Sequence, residues 1–225
     1  MIHPEHQRRA YLQAMGIDVW LPRDADEPGL VKEQPAVAAE SLDWDDLRDC
    51  VASCTRCELS QSRTNTVFGV GNPDADWLII GEAPGAEEDR RGEPFVGRAG
   101  QLLDQMLYAI GQSRESVFIA NILKCRPPNN RDPKPDEAAA CRAYLERQIE
   151  LLGPKIILAV GKIAAQNLLG VADPVGRMRG RPHRFGGIPL VVTYHPAYLL
   201  RSPSQKQKSW SDLCLATRLV AESSA

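Results

Sequence analysis

The segment DWLIIGEAPG, residues 76–85, carries four consecutive apolar side chains and then stops in a Gly/Glu/Pro/Gly turn. Such a run is too short for a helix and has no polar alternation, so it reads as a strand buried on both faces. Three similar segments lie downstream: SVFIANILKC (116–125), KIILAVG (155–161) and IPLVVTYHP (188–196). Between them the apolar residues take helical spacing, in GQLLDQMLYAIG (100–111), KPDEAAACRAYLERQIELLG (134–153) and KIAAQNLLG (162–170). The second of these opens on Pro135 and Asp136 and closes on Gly153, as helices do. Strands alternating with helices predict an α/β fold of three layers, α/β/α, around a central, mostly parallel four-stranded sheet. Ligands of such sheets bind at the carboxyl ends of the strands. Here those ends read GEAPG, NILKC, AVGK and TYHP.

At 225 residues the chain has room for one generous domain and a tail. Residues 1–22 read as a short amphipathic helix with Tyr11, Leu12, Met15 and Ile17 clustered, 23–41 as a polar flexible linker, and 42–225 as the folded domain. No apolar run reaches the ~18–20 residues of a membrane span, and the N-terminus lacks the apolar stretch of a signal peptide. A cytoplasmic monomer is expected. The net charge of −2 hides an asymmetry: residues 174–211 contain no acid but seven cations, Arg177, Arg179, Arg181, Arg184, Arg201, Lys206 and Lys208. A stripe of this kind is either a phosphate-binding surface or a solvated basic face.

Cys54 and Cys57 form a Cys-x-x-Cys pair, with Cys125 and Cys141 flanking the loop RPPNNRDPKP further on. No strand precedes Cys54, which argues against a thioredoxin-like redox motif. Four thiolates suit zinc or an iron–sulfur cluster, spacing does not separate the two, and buried inert thiols are the remaining option. Cys50 and Cys214 are left over.

Taken together, GEAPGAEEDRRGEPFVGRAGQLLDQML (81–107), NILKCRPPNNRDPKPDE (121–137) and HPAYLLR (195–201) resemble the family 4 uracil-DNA glycosylases, over roughly residues 50–220. The resemblance implies a [4Fe–4S] cluster on Cys54, Cys57, Cys125 and Cys141, uracil-containing DNA as substrate, and hydrolysis of the N-glycosidic bond. Glu82 would orient or deprotonate the water, and His195 would donate a hydrogen bond to the departing base. Locally, Glu82 could also be a helix N-cap and His195 a structural turn. Asn121 carries a donor and an acceptor that match the O4 and N3–H edge of uracil. Phe95 would stack on the base, with a core aromatic as the plainer reading. Gly81, Ala83 and Gly85 would let backbone approach the nucleotide. Glu88 is the candidate wall against the thymine methyl, although acids at a helix start also suit that place.

Tyr198, Leu199 and Leu200 would fill the gap left in the duplex, one of the two leucines belonging instead to the core, and Arg201 would bind phosphate. The cluster would pin the 125–141 loop and present Arg126, Arg131 and Lys134 to DNA. Residues 8–20 are similar to the N-terminal peptide of the clamp-loader psi subunit, which docks on the chi subunit, so a replisome partner is expected there. The competing function is a catalytically weak DNA-binding adaptor of the replication machinery, and behind it an electron-transfer protein.

Overall fold

The computed structural model describes residues 41–223. The helix and docking peptide expected over 1–22, and nearly all of the 23–41 linker, lie outside the described residues. The first half of the domain contains α1 (Trp44–Ala52), β1 (Val70–Gly71), β2 (Trp77–Gly81), α2 (Ala86–Arg91), α3 (Arg98–Tyr108) and β3 (Phe118–Asn121). The second half continues with α4 (Pro135–Leu152), β4 (Ile156–Val160), α5 (Lys162–Leu169), α6 (Val175–Met178), β5 (Pro182–Phe185), β6 (Ile188–Thr193), α7 (Pro196–Arg201) and α8 (Lys206–Ser223). No helix among the described residues is long and apolar enough to cross a membrane.

The sheet runs β1-β3-β2-β4-β6-β5. The four strands expected from sequence are its centre and are mutually parallel. Two short antiparallel edges, β1 and β5, extend it to six. Neither edge carries an apolar run, which is why the hydrophobic pattern passes over them. The β5–β6 turn did leave a signal, Gly186-Gly187, both at positive φ, the pairing that tight hairpins require.

Every residue of β2 and β4 is buried, and alternate side chains separate onto two faces. Leu78, Ile80, Ile157, Ala159, Leu190 and Val192 pack with α1, α4 and α5. Trp77, Ile79, Leu158, Val160 and Val191 pack with α3, α7 and α8. These are the three expected layers. Truncating a fully buried Ile or Leu of this kind to Ala costs about 2–5 kcal/mol, so the central strands are a rigid base for whatever their ends carry. Register brings those ends level: Gly81 pairs with Asn121 and Val160 with Thr193. Beyond β3 the pairing persists through Ile122 N–H to Gly81 O (3.0 Å) and Leu123 N–H to Glu82 O (3.1 Å).

Candidate active site

A cavity of about 830 Å³ opens at this edge, and Glu82, Glu88, Phe95, Asn121 and His195 all stand in its wall together with Ala83 and Gly85. Gly81 lies beneath them. A Cβ there would fall 2.4 Å from Asn121 Oδ1 and 2.7 Å from the Phe95 ring, so the absent side chain lets both residues close over the strand end. Phe95 and His195 lie face to face, ring centroids 5.5 Å apart and 27° from parallel. Gly161 makes room for His195 in the same way: its φ is +102°, and a Cβ would come within 3.1 Å of His195 Cβ.

His195 caps α7 through its side chain, Nδ1 accepting the Ala197 N–H at 3.1 Å. An accepting Nδ1 carries no proton, so the neutral ring holds its hydrogen on Nε2. Burial, with Arg201 adding to it, pushes the imidazole pKa down to about 4. The ring is therefore a neutral donor across the physiological range. The structural-turn and functional readings of His195 are compatible, because different nitrogens serve them.

Glu82 does not cap the following helix; that position belongs to Gly85. Burial first, then the negative charge of Asp132, raise the Glu82 pKa to about 7, with Lys162 opposing. A carboxyl poised near neutrality is what general-base work requires. Glu88 faces the cavity but is also tied down: its Oε1 accepts the Val96 N–H at 3.2 Å. Asp132, Asn130, Lys162 and Tyr194 also line the cavity and were not singled out from sequence. Lys162 and Tyr194 sat within the strand-end motifs AVGK and TYHP. Asn130 and Asp132 belong to a loop whose path turns on left-handed backbone at Asn129 and Asn130, which no periodicity reveals.

At the rim, Tyr198 and Arg201 line the cavity. Leu200 is 37% exposed, whereas Leu199 is 1% exposed and packs into the core with α3 and α8. Leu199 is therefore not a wedge; it anchors α7. Not all the expected cations face solvent either. Arg179 forks onto Asp212, which also accepts from Thr193 Oγ1 and Gly180 N–H. This buried network braces the end of β6 just ahead of His195. Arg184 donates to Gly187 O across the hairpin turn but remains exposed. In the loop after Cys125, Arg131 forks onto Glu137 at 2.8 and 2.5 Å, Arg126 donates to Asn130, and Lys134 pairs with Glu58. These contacts help hold the loop in shape, while Lys134 stays exposed and Arg126 and Arg131 half-exposed. Arg177, Arg181, Arg184, Arg201, Lys206 and Lys208 stay exposed.

Cys54, Cys57, Cys125 and Cys141 line one small cavity with Arg63, Lys124 and Tyr144. Arg63 Nη1 donates to Cys125 Sγ at 3.0 Å. Lys124 is 1% exposed, and its ammonium donates to two neutral acceptors, Asn121 O (3.0 Å) and Gln148 Oε1 (2.6 Å). Its amide and its charge both favour the thiolate of Cys141, though burial holds that thiol up at about 11. A buried cation needs a counter-charge, and deprotonated sulfurs would supply it, so this donor set fits an anionic thiolate centre. Among the described residues, no three His, Cys, Asp or Glu side chains are grouped to hold a single ion. Four thiolates suit either an iron–sulfur cluster or structural zinc.

Over residues 68–216 the sequence matches the family model described as the uracil DNA glycosylase superfamily. It is 45% identical over 181 residues to a type-4 uracil-DNA glycosylase of Archaeoglobus fulgidus, spanning 77% of this chain and 90% of that relative. A type-4 uracil-DNA glycosylase of Thermotoga maritima is 47% identical over 158 residues, 69% of this chain and 82% of the relative. A type-5 uracil-DNA glycosylase of Thermus thermophilus is more distant, at 33% over 149 residues. Extended similarity to the type-4 proteins, on a sheet whose strand ends carry the motifs of that group, leaves one assignment: the chain belongs to the type-4 uracil-DNA glycosylases of the uracil DNA glycosylase superfamily.

Proposed function

We propose that this chain is a monofunctional DNA glycosylase, acting as a cytoplasmic monomer, that removes uracil from DNA and so starts base-excision repair. The convergence of Glu82, Phe95, Asn121 and His195 on one cavity carries the reading; an adaptor or an electron carrier would need none of them there. The uracil must first leave the stack. Tyr198 and Leu200 at the rim fill the gap, while Arg201, Lys206 and Lys208 meet phosphates.

Inside, Phe95 covers the base and the Asn121 amide pairs with O4 and N3–H, a pattern that cytosine reverses. Glu88 stands against C5, where thymine carries its methyl. As the glycosidic bond breaks, negative charge grows on the base and positive charge on the sugar. His195 Nε2–H donates to O2 of the departing base, and the Glu82 carboxylate orients the water and steadies the sugar.

Cys54, Cys57, Cys125 and Cys141 would hold a [4Fe–4S] cluster, with Arg63 and Lys124 as neighbouring cations. Bound there, the cluster supplies a covalent anchor between the Cys54/Cys57 turn and the loop that carries Asn130 and Asp132 into the cavity. Purified protein should be brown and contain iron. Cys141→Ala should lose colour and thermal stability; a fully stable, fully DNA-binding Cys141→Ala protein would discard the anchoring role. For residues 8–20 the reading is docking on the clamp-loader chi subunit. Deleting 1–22 should end co-purification with that subunit and leave excision from free oligonucleotides intact.

The deciding experiment uses an oligonucleotide with a single deoxyuridine, followed by alkaline cleavage at abasic sites, with thymine and cytosine controls. Cleavage confined to uracil and lost in Glu82→Ala supports the assignment. Undiminished cleavage by that variant removes Glu82 from the mechanism.

A further inference from the structure

Phe95 adopts a backbone conformation that aromatic residues avoid. Its φ is +54°, in the left-handed region where a Cβ crowds the following carbonyl. Such a residue persists only where its surroundings over-determine it, and three contacts do so here. Gly100, in the first turn of α3, lies against the Phe95 carbonyl so closely that a Cβ would be 1.7 Å from its oxygen. Glu88 holds the next amide, that of Val96. From the far side, Arg114 Nη2 donates to Pro94 O at 2.7 Å and Nη1 to Phe95 O at 3.2 Å. The same Nη1 donates to Asp104 Oδ1 at 3.0 Å. Two successive carbonyls turned to one side suit the rigid fork of a guanidinium.

Arg114 does not line the cavity and has no part in the chemistry described above. We propose that Arg114, braced by Asp104, is a positioning residue for base recognition: it holds Phe95 left-handed and so sets the aromatic wall on which uracil stacks. The proposal rests on the glycosylase reading of the same cavity. Without the fork, residues 94–95 lose both carbonyl partners and relax toward ordinary φ. The Phe95 ring then turns away from Gly81 and His195. Lysine, a point donor, restores one carbonyl contact at most.

The test compares the wild-type protein with Arg114→Met, Arg114→Lys and Asp104→Asn. For each, three quantities are read: kcat/KM on a deoxyuridine oligonucleotide, inhibition by free uracil, and affinity for a duplex carrying a tetrahydrofuran abasic analogue. In Arg114→Met, kcat/KM and uracil affinity should both weaken about tenfold, the worth of one aromatic stacking contact. Arg114→Lys and Asp104→Asn should fall between it and wild type. Affinity for the abasic duplex should not move, since it offers no base to stack. Unchanged uracil inhibition in a folded Arg114→Met protein overturns the proposal, as does an equal loss of abasic-duplex affinity. If the Met variant does not fold, the Lys variant must show the same selective weakening, and its absence overturns the proposal. A wild-type protein that releases no uracil defeats the glycosylase reading itself, whereas active wild type with unaffected variants defeats only the role of Arg114.

Discussion

Replacing Glu82 by Gln should cripple the enzyme and stabilise the protein, and the second effect can be worked from the structure. The native carboxyl titrates at about 7 against an ordinary 4.5, a gap of roughly 2.5 pH units, or about 3.4 kcal/mol at 1.36 per unit. Glu82 is only partly buried, and solvent screening reduces this to roughly 1–2 kcal/mol. Because the folded pKa is raised, the unfolded chain ionises first as pH increases. Wild-type stability is therefore intact below 4.5, declines between 4.5 and about 7, and carries the full cost above that. Gln keeps the volume and cannot ionise. In a domain of this size, Glu82→Gln should melt about 2–8 °C above wild type at pH 8.5. At pH 4 the two should coincide. Excision should fall roughly 10²–10⁴-fold over the same range. Thermal melts of both proteins from pH 4 to 9 decide it. Parallel Tm profiles would refute the claim that the fold holds this carboxyl against ionisation, whatever happens to the rate.

Asp132→Asn removes a negative charge that raises the Glu82 pKa, so the ascending limb of kcat/KM against pH should move to lower pH while its plateau stays; a limb that stays put refutes the coupling. No second ascending limb from His195 should be seen above pH 5, since that ring is neutral above about 4. Leu199→Ala should cost about 2–5 kcal/mol of stability, whereas Leu200→Ala should leave the melt within ~0.5 kcal/mol and weaken binding to uracil-containing duplex; equal melts for the two would undo the division of core from wedge. Lys124→Met orphans the buried acceptors Asn121 O and Gln148 Oε1, at roughly 1–3 kcal/mol each, and should lower Tm and bound iron together; unchanged iron content would show that the thiolate centre does not need this cation.

The four central strands, the helices between them and the strand-end motifs could be read from the chain alone. Their signals are local: a short apolar run with Gly or Pro behind it is buried on both faces wherever the chain places it, and helical spacing declares itself within three turns. The resemblance named Glu82, Asn121, Phe95 and His195 for the same reason, because each sits in a contiguous motif. The two edge strands went unread because an edge strand needs no apolar run. What required the tertiary structure is whatever depends on neighbours remote in sequence. Leu199 and Leu200 are adjacent and chemically alike, yet only packing against α3 and α8 makes one of them core. Arg179 looked like its neighbours in the basic stripe until Asp212 came within 2.7 Å. Glu82 owes much of its raised pKa to burial under other elements and to Asp132, fifty residues away. Burial and charge act through space, so residue type and order establish which groups exist, while only the folded chain decides which of them are dry, paired or poised.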